Sequence, residues 1–209
     1  HIKNVLKPRV GDSLTVGKLN GLVGRGKVIG FGKDFLELDI VLKEKPPAAL
    51  DLIVIMALPR PAMLKRSLQC LASLGVKQII ILNFNRVEKS LWQSSSLKPE
   101  AIQEDLILGL EQAKDTMLPE VILERKFKPF VEDKLPKLIK NRKAFVAHPG
   151  KFKTLPKAKG PAVLIIGPEG GLVDFEVELL QAQDIQVVSL GSRILRFENA
   201  LIYAIGKMF

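Results

Sequence analysis

Ala162-Val163-Leu164-Ile165-Ile166-Gly167-Pro168-Glu169-Gly170-Gly171 runs an unbroken apolar stretch straight into a glycine-rich turn, and Asp174 to Gln181 then reads as a helix. A strand that is apolar at every position is covered on both faces, as in a parallel sheet flanked by helices. The pattern recurs downstream. Ile185 to Leu190 is a second strand, Gly191 opens a turn, and a closing helix follows with Leu201, Ala204, Ile205 and Met208 on its buried face. Upstream, Leu52 to Leu58 is another near-continuous apolar run, and Pro61 suits the first turn of a helix. Leu64, Leu68 and Leu71 follow at helical spacing, with Leu74 a step further and Gly75 placed to end the helix. Ile79 to Leu82 is again a buried strand, Pro99 opens a helix carrying Ile102, Leu106, Ile107 and Leu110, and Lys143 to Ala147 is a strand. Lys151 to Pro161 reads as a basic, mobile loop. Strand, helix and strand at this spacing predict an α/β fold with a parallel sheet over residues 50–209.

Residues 1–45 read differently. Seven of the sixteen glycines lie between Gly11 and Gly32, separating short apolar stretches. From Phe35 to Val41 the chain alternates, with Leu36, Leu38 and Ile40 on one side and Glu37 and Asp39 on the other. Period-two patterning with turn punctuation predicts a small β-barrel or sheet, and Pro46-Pro47 marks its exit.

Composition narrows the function. The chain is 47% hydrophobic and 26% charged, which is globular. No run approaches the roughly 18 to 20 apolar residues of a membrane span. The opening residues, His1 to Leu6, lack the apolar core of a signal peptide, so a cytoplasmic home is expected. Cys70 is the only cysteine beside two histidines, so neither an intrachain disulfide nor a Cys/His metal cluster is expected. The net charge is +10, and the segment from Arg125 to Gly160, with twelve Lys or Arg against two acids, accounts for all of it. Such a concentration suits either a solvated surface or a patch that neutralises nucleic-acid phosphates.

Two glycine loops, each between a buried strand and a helix, are the natural ligand site, because open α/β sheets bind at the carboxyl ends of their strands. Gly167 to Gly171 is not a phosphate-gripping loop, since Leu172-Val173 stand where Lys and Ser/Thr are required. Glu169 would repel a phosphate at that helix N-terminus, so a neutral or cationic guest fits better. The second loop, Leu190-Gly191-Ser192-Arg193-Ile194-Leu195-Arg196, ends in two arginines three residues apart. If the helix has begun by Arg193 they share a face. They would then either pair with surface carboxylates such as Glu198, or hold an RNA phosphate or a deprotonated base.

Ile165 to Gly171 with Glu176, followed by Leu190-Gly191-Ser192-Arg193-Ile194-Leu195-Arg196-Phe197-Glu198-Asn199-Ala200, resembles the signature blocks of the ribosomal RNA small subunit methyltransferase E family, of the SPOUT class. Shorter resemblances lie at His1-Ile2, Val5-Leu6 and Gly11-Asp12, at Leu74-Gly75-Val76, and at Glu111-Gln112 with Leu118-Pro119. The resemblance implies a PUA-like β-barrel RNA-binding domain over 1–45 and a methyltransferase domain over 50–209 with a deep C-terminal trefoil knot. It also implies a homodimer that methylates uridine N3 in 16S ribosomal RNA, using S-adenosylmethionine and no metal. The cofactor would be held by Leu82 and Asn83, by Ile166, Gly167, Pro168, Glu169, Gly170 and Gly171, and by Leu190, Gly191, Ile194, Leu195 and Asn199.

N3 of uracil carries a proton at neutral pH, so a cation beside O2 or O4 would stabilise the anion formed when it leaves. Arg196 is the candidate for that role, and Glu198 for the base or the group orienting it. Lys7, Arg9, Arg25 and Arg193 are candidate RNA contacts, with the stretch from Lys151 to Lys159 closing over the strand. His148, beside Pro149, reads as a loop residue rather than a base. The sequence departs from the family pattern at Phe197 and Asn199, where threonine is usual, at Asp115, where arginine is usual, and at Ser73, where glutamate is usual. Asp115 is expected to weaken a phosphate contact. These departures keep two other functions open: a catalytically weakened RNA-binding protein on the same scaffold, and a methyltransferase acting on another ribosomal or transfer RNA nucleotide.

Overall fold

The computed structural model describes residues 6–209. The short resemblances read at His1, Ile2 and Val5 lie outside them. The first described unit is a three-stranded antiparallel sheet of β1 (Ser13–Gly17), β2 (Val23–Phe31) and β3 (Leu36–Glu44), in that spatial order. Among the described residues, the part of the expected barrel that is seen is this antiparallel sheet. Leu36 and Leu38 are half-buried as their alternation predicts, whereas Ile40 is 51% exposed.

The second unit is a six-stranded sheet in which every neighbouring pair is parallel. In chain order its elements are β4 (Leu50–Ala57), α1 (Pro61–Ser73), β5 (Val76–Leu82), α2 (Pro99–Ala113) and β6 (Glu120–Glu124). A helical stretch follows: α3 (Phe127–Pro129), a π-turn at Phe130–Lys134, and α4 (Leu135–Ile139). Then come β7 (Lys143–Ala147), β8 (Ala162–Ile166), α5 (Asp174–Gln181), β9 (Gln186–Val188) and α6 (Phe197–Met208). The spatial order is β6-β5-β4-β8-β7-β9. From β4 the chain winds outward through β5 to β6, then crosses to β7 and comes back to lay β8 against β4. That junction is the switch point of the sheet, where ligand crevices form.

The apolar runs become the core strands because they are buried on both faces: from Leu52 to Leu58, and from Ala162 to Ile166, every residue is buried. Two elements were not anticipated. Edge strand β6 is only half-buried and is bounded by Glu120 and Glu124, so its apolar signal is short. In the helical stretch Pro129 and Pro136 look like breakers, but Pro136 stands in the first turn of α4, where its missing N–H costs nothing.

The β7–β8 connection is not the loose loop expected. Ser189 N–H donates to the Lys153 carbonyl (2.8 Å), Leu155 N–H to the Ser189 carbonyl (3.0 Å), and Ala158 N–H to the Met208 carbonyl (2.8 Å). Leu155 is buried between these ties. Lysine composition marked the segment as solvated, and its backbone bonds pin it all the same.

Asp115 is likewise structural. It is buried, pairs with Lys77 Nζ at 2.5 Å and accepts from Met117 N–H at 2.9 Å. The neighbouring Thr116 carbonyl accepts from Asn20 N–H (2.7 Å), and Asn20 Oδ1 accepts from Leu118 N–H (2.9 Å), so this corner docks the small sheet on the large domain. The expectation that Asp115 weakens a phosphate contact is corrected: its charge faces Lys77, not solvent.

Helices α1 and α2 pack at close range, which only Gly109 permits, since a methyl there would overlap the Gln69 carbonyl oxygen and approach Ala72. Gly109→Ala should force the helices apart and destabilise the fold by about 1–3 kcal/mol. Urea denaturation monitored at Trp92 measures the loss, and an unchanged midpoint would refute this close packing.

Candidate active site

A cleft of about 670 Å³ opens at the carboxyl ends of β7, β8 and β9. Three loops wall it: Gly167 to Leu172 after β8, Ser189 to Leu195 after β9, and His148 to Gly150 after β7. Arg86, from the segment after β5, closes one side.

The β8 loop is shaped by a turn in which Gly171 N–H donates to the Pro168 carbonyl (2.8 Å), with Gly171 at φ +76°. Its position is set by Glu176, on α5 and only 2% exposed. One carboxylate oxygen accepts from Val173 N–H (3.0 Å), capping the helix it sits on. The other accepts from Asn85 N–H (2.6 Å), tying the segment after β5 to the loop after β8. Arg86 adds a second tie, donating from Nη1 to the Gly170 carbonyl. With its N-terminus already served by a carboxylate and Glu169 and Asp174 nearby in the chain, α5 offers no welcome to a phosphate.

The β9 loop leaves bare backbone facing the cleft. Gly191 has φ +128°, and no protein atom lies within 4 Å of the place a Cβ would occupy. Ser189 Oγ accepts from Gly191 N–H (3.2 Å) and steadies the turn. Ile194 is 87% exposed at the mouth of the cleft, an apolar side chain available to cover a ligand.

Most of the residues expected from sequence meet here. Ile166, Gly167, Pro168, Glu169, Gly170, Gly171, Leu190, Gly191, Ile194 and Leu195 all line the cleft, as does Arg193, which was expected to meet RNA. Leu82 and Asn83 do not. Leu82 is in the core, and Asn83 Oδ1 accepts from the Trp92 indole N–H (2.8 Å). The segment after them still reaches the cleft, through Arg86. Arg196 and Asn199 are exposed outside the lining. Helix α6 begins at Phe197 with Arg196 as its cap, so Arg193 and Arg196 do not share a helical face. Glu198 also stands outside the lining, with Oε2 buried and without a hydrogen-bond partner. Lys7, Arg9 and Arg25 are exposed on the small sheet and its approach.

Sequence reasoning missed Arg86, the His148-Pro149-Gly150 wall, Phe197 and Ala200. The signal for His148 was present, because it follows the buried strand Lys143 to Ala147 just as the glycine loops follow theirs. Burial holds the His148 imidazole below its usual pKa, with Asp174 pulling it up and Arg86 pushing it down. Its Nδ1 is buried with no partner, and its ring meets Phe152 edge-on with centroids 5.9 Å apart. Arg86 carried no signal, since only the fold brings it over Gly170.

A sequence model of the RNA methyltransferase domain family matches residues 46–208, nearly the whole of the chain outside the small sheet. The chain belongs to this family. Among its relatives, ribosomal RNA small subunit methyltransferase E of Treponema pallidum is 29% identical over 210 residues, covering 96% of this chain and 77% of the relative. In fold, the chain is similar to ribosomal RNA small subunit methyltransferase E from Neisseria gonorrhoeae bound to S-adenosyl methionine, with TM-score 0.78 and 21% identity over 99% of this chain and 86% of the other. A Legionella pneumophila protein in complex with the bound cofactor SAM matches equally well, with TM-score 0.78 and 25% identity over 99% and 86% of the two chains.

In this RNA methyltransferase domain Glu176 holds two cleft segments together, so its removal is testable apart from chemistry. Glu176→Ala orphans two N–H groups and should cost about 1–3 kcal/mol for each of them that stays dry. Glu176→Gln keeps one acceptor oxygen and should fall between wild type and alanine in chemical denaturation. Equal stability of all three proteins would refute the tie.

Proposed function

We propose that this chain transfers the methyl group of S-adenosylmethionine to N3 of a uridine in 16S ribosomal RNA. The observation that carries the reading is the cleft built from two glycine loops at the carboxyl ends of parallel strands, with carboxylates where a phosphate site would need cations. Its volume of about 670 Å³ lies within the range of pockets that take a cofactor-sized ligand. The bare backbone at Gly191 and the apolar cover of Ile194 and Leu195 suit a flat adenine, and Glu169 suits a sulfonium. The residues present therefore fit the cofactor.

Gly167 to Gly171 and Leu190 to Leu195 would hold S-adenosylmethionine, with His148 to Gly150 as the third wall in place of Leu82 and Asn83. When bound, it supplies an already activated methyl group, so positioning the acceptor in line is the chief task left to the protein. Arg196, exposed between the lining residues Leu195 and Phe197, is the cation offered to the uracil anion. Glu198, in the first turn of α6 with Oε2 unspent, is the carboxylate available for the N3 proton. Arg193, Lys7, Arg9 and Arg25 supply phosphate contacts, and residues 1–45, which carry the small sheet of β1 to β3, act as a PUA-like RNA-binding domain beside the methyltransferase domain over 50–209.

We infer two features of assembly on the same footing. The β7–β8 connection bonds Ser189 on one side of the segment 190–207 and Met208 on the other, which supports a closing helix threaded through it as a trefoil knot. Phe175, Ile202 and Tyr203 are each about half exposed on α5 and α6, which supports a twofold homodimer there. Among the described residues no helix is long and apolar enough to cross a membrane. A ribosomal RNA substrate supports work in the cytoplasm. A catalytically weakened RNA-binding protein is the second reading, favoured by Phe197, which fills the cleft wall where the family carries a threonine.

Calorimetry with S-adenosylmethionine and mass spectrometry of 16S RNA from cells with and without the protein test the function together. Heat of binding and loss of one methyluridine are expected; binding without any methylation would leave the weakened reading. Arg196→Ala should keep cofactor affinity and lower kcat about 10²–10³-fold. Full turnover by that variant would remove Arg196 from the mechanism.

The depressed pKa of His148 adds a pH dependence. The fold favours the neutral ring, and protonation puts a cation on the wall of a cleft that takes a sulfonium. Cofactor affinity should be full above the ordinary histidine pKa of 6.5 and weaken only as pH falls below it, through the lowered value. His148→Asn should flatten that fall in a calorimetric titration series.

A further inference from the structure

A second, smaller cleft of about 190 Å³ lies against the first. The two share five residues: Arg86, Pro168, Glu169, Gly170 and Phe197. The remaining walls come from the carboxyl end of β4, including Leu58 and Arg60, and from the segment after β5, including Glu88 and Leu91. We propose that this cleft receives the acceptor, a single uracil nucleotide turned out of the RNA, while the larger cleft holds the methyl donor. The inference rests on the proposed methyltransferase reading.

Three properties argue for it. The first is position. An attacking atom must come within about 3–3.5 Å of the methyl carbon, so the acceptor's pocket has to abut the donor's. These clefts abut, with the Pro168-Glu169-Gly170 loop, Arg86 and Phe197 as common lining.

The second is size. Drug-sized ligands occupy about 300–1,000 Å³, and the small cleft falls below that range, suiting one ring rather than a second cofactor or a stacked pair of bases. A base can enter only after leaving its stack, a step that costs a few kcal/mol in RNA and selects for an exposed nucleotide.

The third is charge. Arg60 and Arg86 are balanced by Glu88 and Glu169 around the cleft. A bare anion would gain little net attraction there. A neutral ring with alternating acceptors and a donor gains hydrogen bonds from both kinds of group, and uracil presents O2, N3–H and O4 in that order. Leu58, Leu91 and Phe197 supply apolar surface for its faces. Arg86 spends one N–H on the Gly170 carbonyl and keeps others for an acceptor oxygen.

The mouth can open cheaply. Arg60 and Glu88 pair across it at 3.4 Å, with side chains 71% and 61% exposed. Such exposed pairs hold weakly, so Arg60 can exchange Glu88 for the phosphate of the incoming nucleotide. As the N3–CH3 bond forms and the S–CH3 bond breaks, the N3 proton passes to the Glu198 carboxylate, whose chain neighbour Phe197 lines both clefts, and S-adenosylhomocysteine is the other product.

Leu91→Trp, which fills the small cleft alone, and Arg60→Ala, at an exposed side chain, test the assignment. The measurements are calorimetric affinity for S-adenosylmethionine, binding of uridine 5′-monophosphate to the protein loaded with S-adenosylhomocysteine, and methyl transfer to 16S RNA. In Leu91→Trp, cofactor affinity should stay near wild type, nucleotide binding should vanish and kcat/KM for RNA should fall about a hundredfold or more. In Arg60→Ala, nucleotide affinity should drop about tenfold, close to one hydrogen-bonded charge contact. If Leu91→Trp does not fold, Arg60→Ala alone decides. Normal nucleotide binding and turnover in a variant that still binds cofactor overturns the acceptor cleft and leaves the methyltransferase reading standing. Failure of the wild-type protein to bind S-adenosylmethionine overturns both.

Discussion

The parallel pairing of β4 with β8 is the constraint on which the architecture depends. It joins Leu52 to Ala162 and Met56 to Ile166, two all-apolar runs far apart in sequence. Both strands are buried on both faces, so neither can be left at an edge without exposing a row of branched side chains to water. Once they pair, β5 and β6 are committed to one flank and β7 and β9 to the other. The loops leaving β4 and β8 then diverge, and the space between and beyond them becomes the clefts. The ligand sites are thus a result of strand order, before any polar residue is considered.

Polar chemistry refines what strand order creates. Glu176 spends both oxygens on backbone N–H groups of different segments, and Arg86 spends one donor on a glycine-loop carbonyl. A glycine loop has little side-chain packing to hold its shape. These ties give it the preorganisation that its own sequence withholds, and they leave the remaining donors and acceptors of the loop free for a guest.

Much of this was legible in sequence because the decisive strands are buried on both faces. Residues 52–58, 79–82, 143–147 and 162–166 announce themselves without alternation, and the turns after β8 and β9 announce the ligand loops. What escaped was set by tertiary context. Strand β6 is a half-buried edge with too few apolar residues to stand out. The helical stretch from Phe127 to Ile139 hid behind its prolines. Arg193 and Arg196 looked like neighbours on a helix, yet the helix starts only at Phe197. Asp115 looked like a lost phosphate contact and is instead the buried partner of Lys77. Leu82 and Asn83 were placed by likeness in the donor site; Arg86, three residues further on, is the residue of that segment that lines the cleft.

The ties from the β7–β8 connection to Ser189 and Met208 carry a consequence for biogenesis. His148 and its neighbours are translated well before the residues that anchor the connection behind them. Until Ser189 and then α6 have been made and seated, that strap lacks its full set of partners, and one wall of the cleft has no fixed place. Long-range closure of this kind comes late in folding. A nascent chain would therefore acquire its sheet first and its cofactor competence last, so partly made molecules on the ribosome would not sequester the methyl donor.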